Sequence, residues 1–217
     1  EDPHYWKNEG LLLNHTAGIL FGCPSLKYGQ LWTFESINED QNLKSIDDFL
    51  SVMNITGLIF LSSEQILNNP QKIIELHSFG NELGFFIDTN KPQLEIISTI
   101  EDASKALSNI SNEQIKAKFV RIIGPKFRNA TKEAKKLGFT VVQWTSAMDF
   151  SSNEVFETAK FLENLKNGPP NGGIFRLQNV QNLGSDDAVM KLKLSMENSI
   201  KQPILNPTKC FRVFWQK

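Results

Sequence analysis

The chain has 217 residues, a formal net charge of −1 and 40% apolar residues, a length and composition that suit one α/β domain with a sizeable core. Its basic residues fall in short groups (Lys132, Lys135, Lys136; Lys191, Lys193) and not along a continuous stripe, so no nucleic-acid partner is expected. No apolar run approaches the roughly 18 to 20 residues that span a bilayer, so membrane association would come only through a segment outside this sequence.

In chain order, apolar and β-branched runs at 30–35, 57–62, 84–88, 118–123, 139–146, 173–178 and 210–215 read as strands. Helical spacing occupies 44–54, 64–82 with an interruption at Pro70, 92–108, 129–137, 153–166 and 185–201. Alternation of this kind is the pattern of βα units around a parallel sheet. Gly138 after "EAKKL" and "NGPPNGG" at 167–173 supply the helix stops. Short connections favour a small, distorted (β/α) barrel of about seven strands over an open doubly wound sheet. No repeat or linker divides the chain, so a single domain over 1–217 is expected. No Gly-rich loop opens a helix to cradle phosphate.

Two cysteines occur, Cys23 and Cys210. In a closed barrel the first and last strands are neighbours, so spacing alone is compatible with a disulfide that clasps the termini or with two buried thiols. Sequons at Asn14, Asn54, Asn109 and Asn129 fit secretion, although about two or three would arise by chance in a chain this rich in Asn, Ser and Thr. The chain opens on Glu1, as a processed chain would.

Chemistry in parallel α/β folds gathers at the C-terminal ends of the strands. "LWTFES" (31–36) delivers Glu35 and Ser36 there; Asp88 and Asn90 follow the third strand, Arg121 lies in the fourth, Thr145, Ser146 and Asp149 follow the fifth, and Arg176, Gln178 and Asn179 end the sixth. His4 and His15 precede the first strand and His77 sits in a helix, so no histidine cluster offers a metal cage. No G-x-S-x-G elbow or strand-end histidine supports a nucleophilic triad. Glu35 and Asp149 could form an acid/base pair if they faced each other, or be rim carboxylates with one paired to Arg121.

Taken as an ordered set, six segments resemble the NodB-type polysaccharide deacetylases, the carbohydrate esterase family 4 enzymes that include fungal chitin deacetylases. "TFESI" (33–37) sits where the family has T-F/Y-D-D-G. "IDDFLSVMNITGLIFLSS" (46–63) resembles the helix and strand ending in A-T-F-F-V, and "IIELHSFGNELGFFIDTN" (73–90) the segment ending in H-T-x-x-H. "KFVRIIGP" (118–125) stands for F-x-R-x-P-x-G, "AKKLGFTVVQWTSAMDF" (134–150) for the D-x-x-D-W region, and "GGIFRLQN" (172–179) for the strand ending in L-x-H-D. The resemblance spans about residues 23–215.

The resemblance implies a fungal-type disulfide between Cys23 and Cys210, and it implies that the family's reaction has been lost. The metal ligands, one aspartate and two histidines, fall on Ser36, Phe86 and Asn90. A phenyl ring has no lone pair to donate, so the zinc or cobalt of the family is expected to be absent. The general base falls on Glu35, and Arg121 keeps the arginine that orients it. Ala147 replaces an aspartate of the fourth motif, leaving Asp149 as the nearby acid. Gln178 replaces the histidine that protonates the leaving amine, and an amide has no proton to give near neutral pH. Trp32, Trp144 and Phe150 near the mouth are candidate glycan contacts, although aromatics on barrel strands are more often core. The expectation is therefore a secreted or cell-surface pseudoenzyme associated with chitin or another wall polysaccharide, with a residually active deacetylase and a protein-interaction module as the alternatives.

Overall fold

The computed structural model describes residues 19–20, 30–36, 40–90, 95–150, 173–183 and 186–197, with Ile204 and Pro207. Among the described residues, eight strands form one all-parallel sheet: β1 (Ile19–Leu20), β2 (Gln30–Ser36), β3 (Leu58–Leu61), β4 (Glu82–Asp88), β5 (Phe119–Ile123), β6 (Thr140–Val142), β7 (Ser146–Asp149) and β8 (Gly173–Gln178). Their order is β1-β6-β5-β4-β3-β2-β8-β7. Helices α1 (Asp40–Met53), α2 (Ser63–Asn68), α3 (Pro70–Ser78), α4 (Ile96–Ile110), α5 (Phe127–Lys136) and α6 (Asp186–Glu197) lie between or after them. None of these helices is long and apolar enough to cross a membrane.

The sheet is curled into a barrel, and one short link shows it. β6 lies next to one edge of the sheet and β7 is the other edge, yet only residues 143–145 join them. A link of that length reaches at most about 14 Å, so the two edges must face each other. Thr145 fastens the crossing: its N–H donates to the Ile174 carbonyl (2.8 Å), and its Oγ1 accepts from the Ile174 N–H (2.9 Å).

Alternation along each strand separates two apolar layers. Trp32, Phe34, Ile59, Phe85, Val120, Ile122, Phe175 and Leu177 face outward and join α1, α3, α4 and α5 in the main core. Leu20, Leu31, Leu58, Phe60, Phe86, Phe119, Val142 and Ile174 face inward and fill the barrel. β3 is buried on both faces and so reads "LIFL" without a polar residue, as a central parallel strand should. Gly84 is required where Phe60 crosses it inside the barrel, because a Cβ there would stand 2.7 Å from the ring.

Local signals place the helices. Ser62 caps α2 by accepting from the Gln65 N–H (3.2 Å), and Pro70 starts α3 at a position where its missing N–H costs nothing. The helix expected over 64–82 ends earlier, at Ser78, and Glu82 and Leu83 belong to β4. Gly80 at φ +90° and the Asn81 side chain, which accepts from Gly57 N–H (2.8 Å) and donates to Leu76 O (2.9 Å), turn the chain there. The single strand expected over 139–146 is two strands, β6 and β7, separated by the crossing link, and the two-residue β1 was not anticipated. Cys23, Cys210, His4, His15, Asn14, the helix expected at 153–166 and the strand expected at 210–215 lie outside the described residues.

Candidate functional site

Inward-facing positions on three strands bring three charged groups together in the barrel. Glu35 is the next-to-last residue of β2, Arg121 is central in β5 and Arg176 is on β8 beside β2. Glu35 Oε1 accepts from Arg121 Nη1 (3.1 Å) and from Arg176 Nε (2.7 Å), while Oε2 accepts from Arg176 Nη2 (2.6 Å). The Arg176 contact is the bidentate fork that guanidinium and carboxylate geometry favour. The side chains of Arg121, Glu35 and Arg176 are 0%, 1% and 12% exposed, so the cluster is almost wholly removed from water.

The surrounding groups hold both cations in place. Arg121 also donates from Nε to Val142 O (3.2 Å) and from Nη2 to Gln143 O (3.4 Å), and lies over the Phe60 ring at 4.4 Å. Burial pushes its guanidinium down to about 10, with the Glu35 carboxylate opposing that shift and the charge of Arg176 adding to it. Arg176 stacks on Trp144 at 4.3 Å, and Arg121 approaches the same ring at 5.3 Å. Gln143 is buried, donates from Nε2 to Ile122 O (2.8 Å), and leaves Oε1 without a partner among the described residues.

The remaining sequence candidates separate. Phe86 is 6% exposed and packs inside the barrel with Phe60 and Phe119. Asn90 is exposed, and its N–H and Nδ2 both donate to Asp88 Oδ1 (2.9 Å each). Ser36 ends β2 opposite Leu61. Asp149, at the end of β7, accepts from Asn179 Nδ2 (2.7 Å). β8 stands between the strands of Glu35 and Asp149, and both carboxylates are already engaged. Gln178, half-buried on β8, is paired in register with Asp149.

Two of the three expected glycan contacts are corrected. Trp32 is fully buried on the outward face against Phe49, with ring centroids 6.1 Å apart, and Phe150 is 7% exposed in the same core. Trp32 and Glu35 stand three positions apart, an odd step, so the two side chains point to opposite faces of the strand. Trp144 is the one of the three at the barrel mouth, half-buried beneath Arg176.

Arg176 is the functional residue to which the sequence reading gave no role. A cation in an otherwise apolar strand, "GIFRLQ", demands a buried partner, and this was the available signal.

The positions to which the sequence resemblance assigns the metal ligands carry a donor set that does not fit a divalent ion. A serine, a phenyl ring packed among apolar side chains and an amide bound to Asp88 replace a carboxylate and two imidazoles. Among the described residues no group of three His, Cys, Asp or Glu side chains converges as a metal site.

No family model matches this chain, and no curated protein matches it in sequence. Solved structures do. The peptidoglycan N-acetylglucosamine deacetylase Bc1960 superposes with a TM-score of 0.69 at 18% identity, over 96% of this chain and 97% of that one. The peptidoglycan deacetylase PdaC from Bacillus subtilis gives 0.59 at 15% identity, over 88% and 93% of the two chains. BA3943 from Bacillus anthracis, a pseudoenzyme of carbohydrate esterase family 4, gives 0.61 at 15% identity, over 86% and 70%. With its curled parallel sheet and these superpositions, the chain has the NodB-type (β/α)-barrel fold of the family 4 carbohydrate esterases.

Proposed function

We propose that this protein is a pseudoenzyme of the polysaccharide deacetylase family, secreted or held at a cell surface, which holds no catalytic metal, releases no acetate and serves through association with a wall polysaccharide. The observation that carries this reading is the capture of Glu35. A general base must present a free lone pair to water or substrate, and both oxygens of this carboxylate are engaged by guanidinium groups in a site almost closed to solvent. The phenyl ring of Phe86 further argues against a bound metal, and without that Lewis acid several kcal/mol of transition-state stabilisation is forfeited.

Two solved structures of this fold are peptidoglycan deacetylases and another is a pseudoenzyme, which supports a wall-glycan setting and makes loss of activity within the fold an observed course. Chitin is the narrower candidate, suggested by the fungal-type resemblance. Trp144 is the side chain offered for sugar contact. The test is equilibrium dialysis against zinc and cobalt. The expected result is less than one tenth of an equivalent retained by the unmodified protein, set against a variant carrying Ser36→Asp, Phe86→His and Asn90→His. One equivalent retained by the unmodified protein overturns the reading.

A further inference from the structure

The junction between α1 and β3 carries one of the sequons, Asn54-Ile55-Thr56. α1 closes in a Schellman motif: the Ile55 N–H donates to Leu50 O and the Asn54 N–H to Ser51 O, each at 3.1 Å, with Asn54 at φ +53°. Asparagine tolerates this left-handed position, so the backbone alone accounts for Asn54. It does not account for what surrounds it.

Asn54 is exposed on the wall of a groove of about 420 Å³, together with Ser51, Thr56 and Phe79. Phe79 is 61% exposed, the one aromatic side chain among the described residues left so open to water. Its turn is fastened to the sequon loop. A Cβ on Gly80 would stand 3.6 Å from Thr56 Cγ2, the Gly57 N–H donates to Asn81 Oδ1 (2.8 Å), and the Glu82 N–H donates to Gly57 O (3.0 Å). The backbone turn that carries Phe79 is thus fixed against the sequon loop, and Asn54 and Phe79 line the same groove. A phenyl face beside hydroxyl groups suits a pyranose ring, which has an apolar face of C–H groups and a polar edge.

The other described sequons differ. Asn109 and Asn129 are also exposed, but they lie within α4 and α5. The Ser111 hydroxyl is buried between Leu107 O (2.7 Å) and the Ile115 N–H (3.2 Å), and Thr131 is buried.

We infer that Asn54 is N-glycosylated and that the first sugar of its glycan lies on Phe79 and occupies the groove. The inference rests on the secretory location proposed above and not on the loss of deacetylase activity. In the transfer, Asn54 Nδ2 displaces a lipid diphosphate from the anomeric carbon of a lipid-linked oligosaccharide. The C–O bond to the diphosphate breaks, a C–N bond forms, and the amide gives up one proton to the base of the transferase.

The experiment is mass spectrometry of the Asn54 peptide, from the protein recovered at its source and from variants secreted by a glycosylating eukaryotic host. The expected result is a glycan on the unmodified chain and on Thr56→Ser, absent from Thr56→Ala and from Asn54→Gly. The glycine variant removes the sequon while keeping the left-handed cap. Enzymatic removal of the glycan should lower the thermal midpoint by about 2 to 4 °C, and Phe79→Ala should abolish that difference. An unmodified Asn54 in protein recovered from outside the cell overturns the inference, whatever an acetate assay reports. A glycan whose removal shifts the midpoint equally with and without Phe79 overturns the placement on the ring.

Discussion

The two faces of the same strands carry different chemistry. Outward, β2, β5 and β8 present Trp32, Phe34, Val120, Ile122, Phe175 and Leu177 to the helices, an apolar layer that any (β/α) barrel needs. Inward, one position along on each strand, the same elements present Glu35, Arg121 and Arg176 to one another. The outward face specifies the fold and the inward face specifies what the fold can do. One face can therefore vary in its chemistry while the other keeps the barrel. Buried ion clusters are poor stabilisers because desolvation offsets their mutual attraction. The inward cluster keeps the buried Glu35 carboxylate paired with two guanidinium groups.

The comparison predicts where substitutions hurt most. On the outward face, Trp32→Ala opens a cavity in the main core and should cost about 3 to 5 kcal/mol in denaturant unfolding; a loss under about 1 kcal/mol would mean that the two layers are not distinct. On the inward face, Glu35→Gln leaves two guanidinium groups buried without a counter-charge and should cost about 3 kcal/mol. Replacing Glu35, Arg121 and Arg176 together by Leu, Met and Met should cost far less than that single change, because no uncompensated charge remains. Equal losses in the single and triple variants would contradict the charge argument. Arg176→Ala should be milder, about 1 to 3 kcal/mol, since Arg121 still serves Glu35 and water can reach the vacated edge.

The smallest expected effect lies in α3, away from both faces. Burial lowers the His77 imidazole below its usual 6.5. The unfolded chain then binds the proton more readily than the folded one, so this contribution is complete above pH 6.5 and is lost as pH falls through the lowered folded value. His77→Gln should flatten the slope of the thermal midpoint across that acid window, and an unchanged slope would rule out His77 as its source.

Much of the barrel was legible because parallel strands buried on both faces leave apolar runs, as at "LIFL", and because helix stops such as Gly138, at φ +84°, use residues with few alternatives. The ion pair of Glu35 with Arg121 was legible from strand-end position and from the family resemblance. Arg176 is a strand-end group to which the resemblance gives no role, having no arginine at that position. Its partner depends on β8 lying beside β2, a pairing between residues 141 positions apart that local pattern cannot supply. Trp32 and Phe150 fall to the core for a simpler reason: nearness to the mouth along the chain does not set the parity that decides which face a side chain takes. The division of 139–146 into β6 and β7 was hidden because the crossing at 143–145 is made by Gln, Trp and Thr, residues equally at home in a strand.

Acetate release is the measurement closest to the central claim. Acetylated chitin and peptidoglycan oligomers should be incubated with the unmodified protein, with and without added zinc or cobalt, beside a heat-killed control. A captured Glu35 and a phenyl ring at Phe86 predict no acetate above the control under any of these conditions. Metal-dependent acetate release by the unmodified chain would contradict the claim and return the barrel mouth to catalysis.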